Sequence, residues 1–196
     1  MTDRLPHPRI LVFAGSIRAG SYNKRLARLA AERIARSGGH PTFIDLRDYP
    51  MPLYDGDLEA DQGLPENALV LRCGLADHDG LLIASPEYNS FITPLLKNTI
   101  DWLTRPHEGK SGLELFKGKY AAVVSASPGG LGGLRSQVLA RQLLTHIGVT
   151  VLPDQLAVAR AGEAFDDQGR LKDEAQGEQL DAICRRLVET LRSLKT

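Results

Sequence analysis

Between a short apolar run and the start of a helical pattern stand Gly15, Ser16, Ile17, Arg18, Ala19, Gly20, Ser21, Tyr22 and Asn23. Hydroxyls, an amide and a guanidinium at a helix start can converge with backbone N–H groups on one anion, and a phosphate is the natural guest. The spacing of Gly15 and Gly20 matches a P-loop, yet Ser21 and Tyr22 occupy the places where that motif needs Lys and then Ser or Thr. The third glycine of the dinucleotide fingerprint is also missing. Two readings remain: a monophosphate held by hydroxyls and amides without metal, or a plain capped helix, which needs only one such residue.

Two further strings have the same character. In Ser85, Pro86, Glu87, Tyr88, Asn89 and Ser90, the proline removes a donor and fixes the backbone. Later N–H groups and the Asn89 amide then face the edge of a planar hydrogen-bonding ligand, with Tyr88 as a flat neighbour. An ordinary turn between strand and helix would use similar residues. In Ser125, Ala126, Ser127, Pro128, Gly129, Gly130, Leu131, Gly132 and Gly133, the clustered glycines imply either positive φ, close approach to a ligand, or a flexible surface loop.

Each string follows an apolar run with the look of a strand buried on both faces. These runs span residues 10–14, 40–46, 80–85, 120–127 and 148–152. Helical periods separate them. Leu26, Leu29, Ala30 and Ile34 share a face that stops at Ser37, Gly38 and Gly39. Thr93 and Pro94 open a helix carrying Leu95, Leu96, Ile100 and Leu103. Residues 135–146 form a crossover helix, and residues 171–194 align Leu180, Ile183, Leu187 and Leu191. Strands alternating with helices predict a five-stranded parallel sheet with helices on both faces, in one domain over residues 1–196. Ligands of such sheets sit beyond the carboxyl ends of the strands, where all three strings fall. Stretches 49–65, 104–118 and 161–169 read as loops. Trp102 beside Phe91, Leu95 and Asn98 reads as core packing or as part of a subunit interface.

The strings GSIRAGSYNKRLA at 15–27, SPEYNSFITPLLKNTIDWL at 85–103 and SASPGGLGG at 125–133 together resemble the NADPH-dependent FMN reductase family, which includes flavodoxin-like quinone, chromate and azo-dye reductases. The resemblance runs from the first strand to the last helix. It implies a flavodoxin-like three-layer α/β sandwich binding FMN. Carried over, Ser16, Arg18, Ser21 and Asn23 hold the phosphate with Tyr22 close by. Pro86, Glu87, Tyr88 and Asn89 line the isoalloxazine, and Ser127, Gly129 and Gly130 form its other wall. Hydride from NADPH or NADH would pass through FMN to a small-molecule acceptor, so no catalytic acid or base side chain is called for. The resemblance also implies a homodimer or homotetramer. An electron carrier of the flavodoxin type and a flavin-binding regulatory module are the alternatives.

Composition is consistent with this. The chain has 196 residues, is 42% apolar, and balances 24 Lys and Arg against 24 Asp and Glu. Such a chain is ordinary for a folded protein, and its neutrality argues against a general polyanion binder. With neither a membrane-length apolar run nor a secretory pattern, the expected compartment is the cytoplasm, without membrane or nucleic-acid partners. Cys73 and Cys184 read as buried reduced thiols, and the five histidines show no metal spacing. The neutral total hides an asymmetry. Arg4, Arg9, Arg18, Lys24, Arg25 and Arg28 lie in an acid-free run, whereas residues 45–87 hold ten acids against Arg47 and Arg72.

Overall fold

A computed structural model describes residues 7–194. Its sheet comprises β1 (Arg9–Ala14), β2 (His40–Ile44), β3 (Gly80–Ala84), β4 (Tyr120–Ala126) and β5 (Thr150–Val158), in the order β2-β1-β3-β4-β5. Every neighbouring pair is parallel. The helices are α1 (Tyr22–Arg36), α2 (Gly56–Gln62), α3 (Glu66–Ala76), α4 (Pro94–Leu103), α5 (Leu134–His146), α6 (Ala161–Ala164) and α7 (Glu174–Ser193). No helix among the described residues is long and apolar enough to cross a membrane.

Alternation along the strands divides the core into two layers. Ile10, Val12, Ala14, Leu82, Ala122 and Val124 pack beneath α1 and α7, whose Leu26, Ile34, Leu180, Ile183 and Leu187 are buried. Leu11, Phe13, Leu81, Ile83, Ala121 and Val123 face the opposite way, under α3, α4 and α5. From β1 the chain winds outward to β2 and then returns to β3 on the other side. The carboxyl ends of β1 and β3 therefore flank the point where winding reverses, which opens a crevice there.

Three sequence expectations need correction. The fifth strand continues past Leu152 to Val158, because Pro153 falls where the register with β4 shifts and on a sheet edge that tolerates a missing donor. Helix α3 has no side-chain cap and carries apolar residues on most sides, so it gave no start signal and no clean face. The supposed loop at 49–65 contains α2, a helix without a buried residue, capped by Asp55. Short helical turns also form at Gly112–Leu115 and Ala161–Ala164, inside the other two expected loops.

The segment before α2 explains Trp102. The indole is fully buried and donates to Pro52 O at 2.8 Å, while Asn98 binds both Pro52 O and Tyr54 N. Arg105 then grips Glu59 at 2.8 Å. The outer side of α4 is thus covered by the chain's own 52–59 segment, and Trp102 is no interface residue. The cysteines differ: Cys73 is exposed, against expectation, whereas burial pushes the Cys184 thiol up to about 12.

Candidate functional site

Loop one leaves β1 through Gly15, whose backbone is crowded. A Cβ there would lie 3.0 Å from Leu96 Cβ and 3.2 Å from both Pro86 Cδ and Thr93 Oγ1. The Thr93 hydroxyl donates to Gly15 O at 2.8 Å and caps α4 by accepting from Leu96 N. Ser21 caps α1, accepting from Lys24 N at 3.3 Å, and Ser16 Oγ accepts from Arg18 N at 3.4 Å. Both serines are nearly buried, and each retains a hydroxyl proton to donate.

The loop is braced from β2. Lys24 Nζ lies 2.6 Å from Asp45 Oδ2, in a pair whose side chains are only 7% and 17% exposed. Burial pushes the Asp45 carboxyl up, but the Lys24 hydrogen bond, the Arg47 N–H and both cationic charges hold it below its usual value. Arg47 Nε and Nη2 donate to Ile17 O. Elsewhere in the basic run, Arg9 approaches Asp77 and Arg28 lies over the Phe43 ring, while Arg4 is outside the described residues. Arg18 keeps a guanidinium with no partner among the described residues. With no acid in the first turn of α1, the opening of this helix is electropositive.

Loop two is a tight hairpin. Tyr88 and Phe91 exchange backbone hydrogen bonds at 3.0 Å, and Asn89 and Ser90 both have positive φ, of 51° and 66°. That is a type I′ turn, in which asparagine is favoured for backbone reasons. Loop three folds on itself. Gly132 has φ 62°, and a Cβ there would come within 2.6 Å of the Ala157 backbone. Gly133 also has positive φ, whereas Gly129 and Gly130 do not.

Beneath loops two and three runs a fully buried polar network. Ser136 Oγ donates to Pro86 O at 2.7 Å and contacts Ser85 Oγ. Ser125 Oγ donates to Gly132 O, and Gln137 Nε2 donates to Ser125 Oγ and Leu156 O. Ser136→Ala would leave Pro86 O and Ser85 short of a partner, and should cost about 1–3 kcal/mol in urea denaturation.

Together the loops form an open concavity lined by Ser16, Arg18, Ser21, Tyr22, Asn23, Pro86, Glu87, Tyr88, Ala126, Ser127 and Pro128. Hydroxyls and Arg18 lie at the α1 end, with the flat faces of Pro86, Tyr88 and Pro128 further along. Chemically this suits one anionic group joined to a planar body. The NADPH-dependent FMN reductase model matches residues 8–163.

The chain belongs to that family. It is 37% identical over 168 residues to an NAD(P)H-dependent FMN reductase of Pseudomonas aeruginosa, covering 85% of each chain. It is 34% identical to an NAD(P)H:quinone oxidoreductase of Solanum tuberosum, covering 91% of this chain and 90% of the other. Among solved structures, the flavoenzyme NAD(P)H:(acceptor) oxidoreductase of Paracoccus denitrificans superposes with a TM-score of 0.80 at 29% identity, over 95% and 98% of the two chains. An archaeal flavodoxin superposes at 0.60 with 10% identity, over 94% of this chain and 99% of that one, a likeness of fold.

The residues singled out in the sequence are placed differently about this concavity. Asn23 lines it, but its amide already donates to Ala126 O at 2.7 Å and accepts from Ala126 N at 3.0 Å. Its main work is to join α1 to the end of β4, and one Nδ2 proton remains for a ligand. Asn89 sits in its turn, and Asn89, Gly129 and Gly130 are exposed at the edge of loops two and three, not among the residues that line the concavity. Ala126 and Pro128 line it beside Ser127. The bracing residues Asp45, Arg47 and Arg135 escaped sequence reading because their partners lie 21 to 48 residues away.

Proposed function

We propose that this concavity binds FMN, with the phosphate at the α1 end and the ring between loops two and three. The observation that carries the reading is the unpartnered Arg18 beside two nearly buried serine hydroxyls at an acid-free helix N-terminus. Ser16, Ser21 and Arg18 bind the phosphate without metal. Pro86, Tyr88, Ala126, Ser127 and Pro128 orient the ring and keep water from it, and Tyr22 closes the site beside the phosphate. FMN, when bound, supplies hydride acceptance from NADPH or NADH and return of the electrons to a second substrate. The acceptors proposed are quinones, free flavin, azo compounds and metal oxyanions. No side chain need move a proton for the hydride itself. Consumption of NADPH or NADH with a benzoquinone by protein stripped of flavin, dependent on added FMN, tests this; oxidation by the stripped protein that is the same without FMN would refute it.

The working unit proposed is a cytoplasmic homodimer or homotetramer of one-domain chains. Support comes from the α4–α5 side, where Phe91, Leu131, Leu134 and Val138 are 43–57% exposed beside a groove lined by Ile92, Leu139 and Leu143. Leu134 and Val138 lie one turn apart on the outer face of α5. Val138→Glu should therefore convert the assembly to monomers in sedimentation velocity; an unchanged sedimentation coefficient would move the interface elsewhere.

A further inference from the structure

Helix α5 begins without a cap of its own. Gly133 at its N-cap has φ 89° and no side chain, so the first-turn N–H groups need partners from elsewhere. One comes from loop two, across the crevice wall. Glu87 Oε2 accepts from Ser136 N at 3.3 Å, and Oε1 accepts from Arg135 Nε at 2.9 Å. The carboxylate is only 9% exposed, whereas Arg135 is 55% exposed. Ser136 Oγ adds a parallel tie to Pro86 O. A charged group in a wall facing an anionic ligand would ordinarily be unfavourable. Here Arg135 and the helix N-terminus neutralise it.

We propose that Glu87 is a positioning residue. Its carboxylate caps α5 from the neighbouring loop, and so fixes the spacing between the 86–91 hairpin and the 127–133 loop. Resting on the FMN reading of the concavity, this assigns Glu87 to the width and electrostatic neutrality of the slot, acting through Arg135 and Ser136. Within loop two, contact with the cofactor is left to the backbone and to Pro86 and Tyr88. The carboxylate and its two donors act as a unit, so their removals should not add.

The test uses the full chain without FMN for hydrogen exchange, and with FMN for release kinetics followed by flavin fluorescence. Glu87→Ala should speed exchange of the Ser136 amide about tenfold, the scale of a lost charged cap, and speed FMN release by a similar factor. Glu87→Gln, which keeps an acceptor for Ser136 N, should restore exchange to within about threefold of wild type. In Glu87→Ala/Arg135→Ala, release should be no faster than in Glu87→Ala alone. If Glu87→Ala does not accumulate as folded protein, Arg135→Ala at its half-exposed position carries the same readouts, with both rates rising about threefold. The proposal is overturned if Glu87→Ala, or Arg135→Ala in its place, exchanges the Ser136 amide and releases FMN within about twofold of wild type, or if exchange quickens while release does not. A wild type that binds no FMN would overturn the reading of the concavity instead, and the exchange arm would still decide whether Glu87 joins the two loops.

Discussion

Arg18→Ala should raise the FMN dissociation constant roughly 10- to 150-fold, the equivalent of about 1.5–3 kcal/mol for a hydrogen bond to a charged group. Arg18 is exposed and its guanidinium has no partner among the described residues, so the apoprotein should unfold at the same temperature as wild type. That separation of effects marks a binding residue. Lys24, in the first turn of α1, belongs to the opposite class, because its charge is already spent on Asp45. Raising the salt should weaken binding in wild type more than in Arg18→Ala, since a screened guanidinium has less to lose. Fluorescence titration at two fixed ionic strengths checks both statements, and unchanged affinity would remove Arg18 from the phosphate site.

Lys24→Ala should destabilise the fold by about 2–4 kcal/mol at neutral pH. Breaking a fully buried ion pair costs about 3–5 kcal/mol, and the residual exposure of Asp45 reduces that somewhat. The cause is a carboxylate left in a nearly buried place with fewer donors. The pH dependence follows from the Asp45 carboxyl being held below its usual 3.8. The unfolded chain binds a proton there more readily than the native one, so stability rises with pH through that window. The contribution of the pair is complete above the unfolded value and disappears as pH falls through the lower native value. The gap between wild type and Lys24→Ala should therefore narrow below about pH 4, as protonated Asp45 ceases to need a cation. Urea denaturation at several pH values measures it. A gap that widens on acidification would contradict the assignment.

Much of this fold is legible where local chemistry decides it. Thr93 followed by Pro94, and the buried Leu180, Ile183 and Leu187 of α7, mark helices because caps and a 3.6-residue period need only neighbours in sequence. Where neighbours far away decide, the reading falters. Pro153 looks like a stop but rests at an edge bulge, and Trp102 looks available for a partner until the 52–59 segment is folded over it. The site divides the same way. Ser16, Arg18 and Ser21 could be found from spacing, as they act within one loop and one helix start. Asn89 has a type that suits a ligand and also suits a type I′ turn, and only the backbone angles separate the two. Glu87 was legible as a residue of the wall, but its tie to Arg135 spans 48 residues and leaves no local mark.

The charge asymmetry gains a physical meaning from the same folding. Lys24 and Arg9 of the acid-free run meet Asp45 and Asp77 of the acidic stretch, because β1 separates β2 from β3 in the sheet. Neutral on the whole, the chain keeps Arg18 free where one small anion can reach it.

The most direct measurement is an anaerobic spectrum of the wild-type protein loaded with FMN, taken before and after NADPH or NADH and again after a quinone. Rapid loss of the flavin's visible absorbance with the nicotinamide alone, and its return with the quinone, is the predicted result. Protein that takes up no FMN, or that holds it unbleached by either nicotinamide, would contradict the account; the second outcome is that expected of an electron carrier.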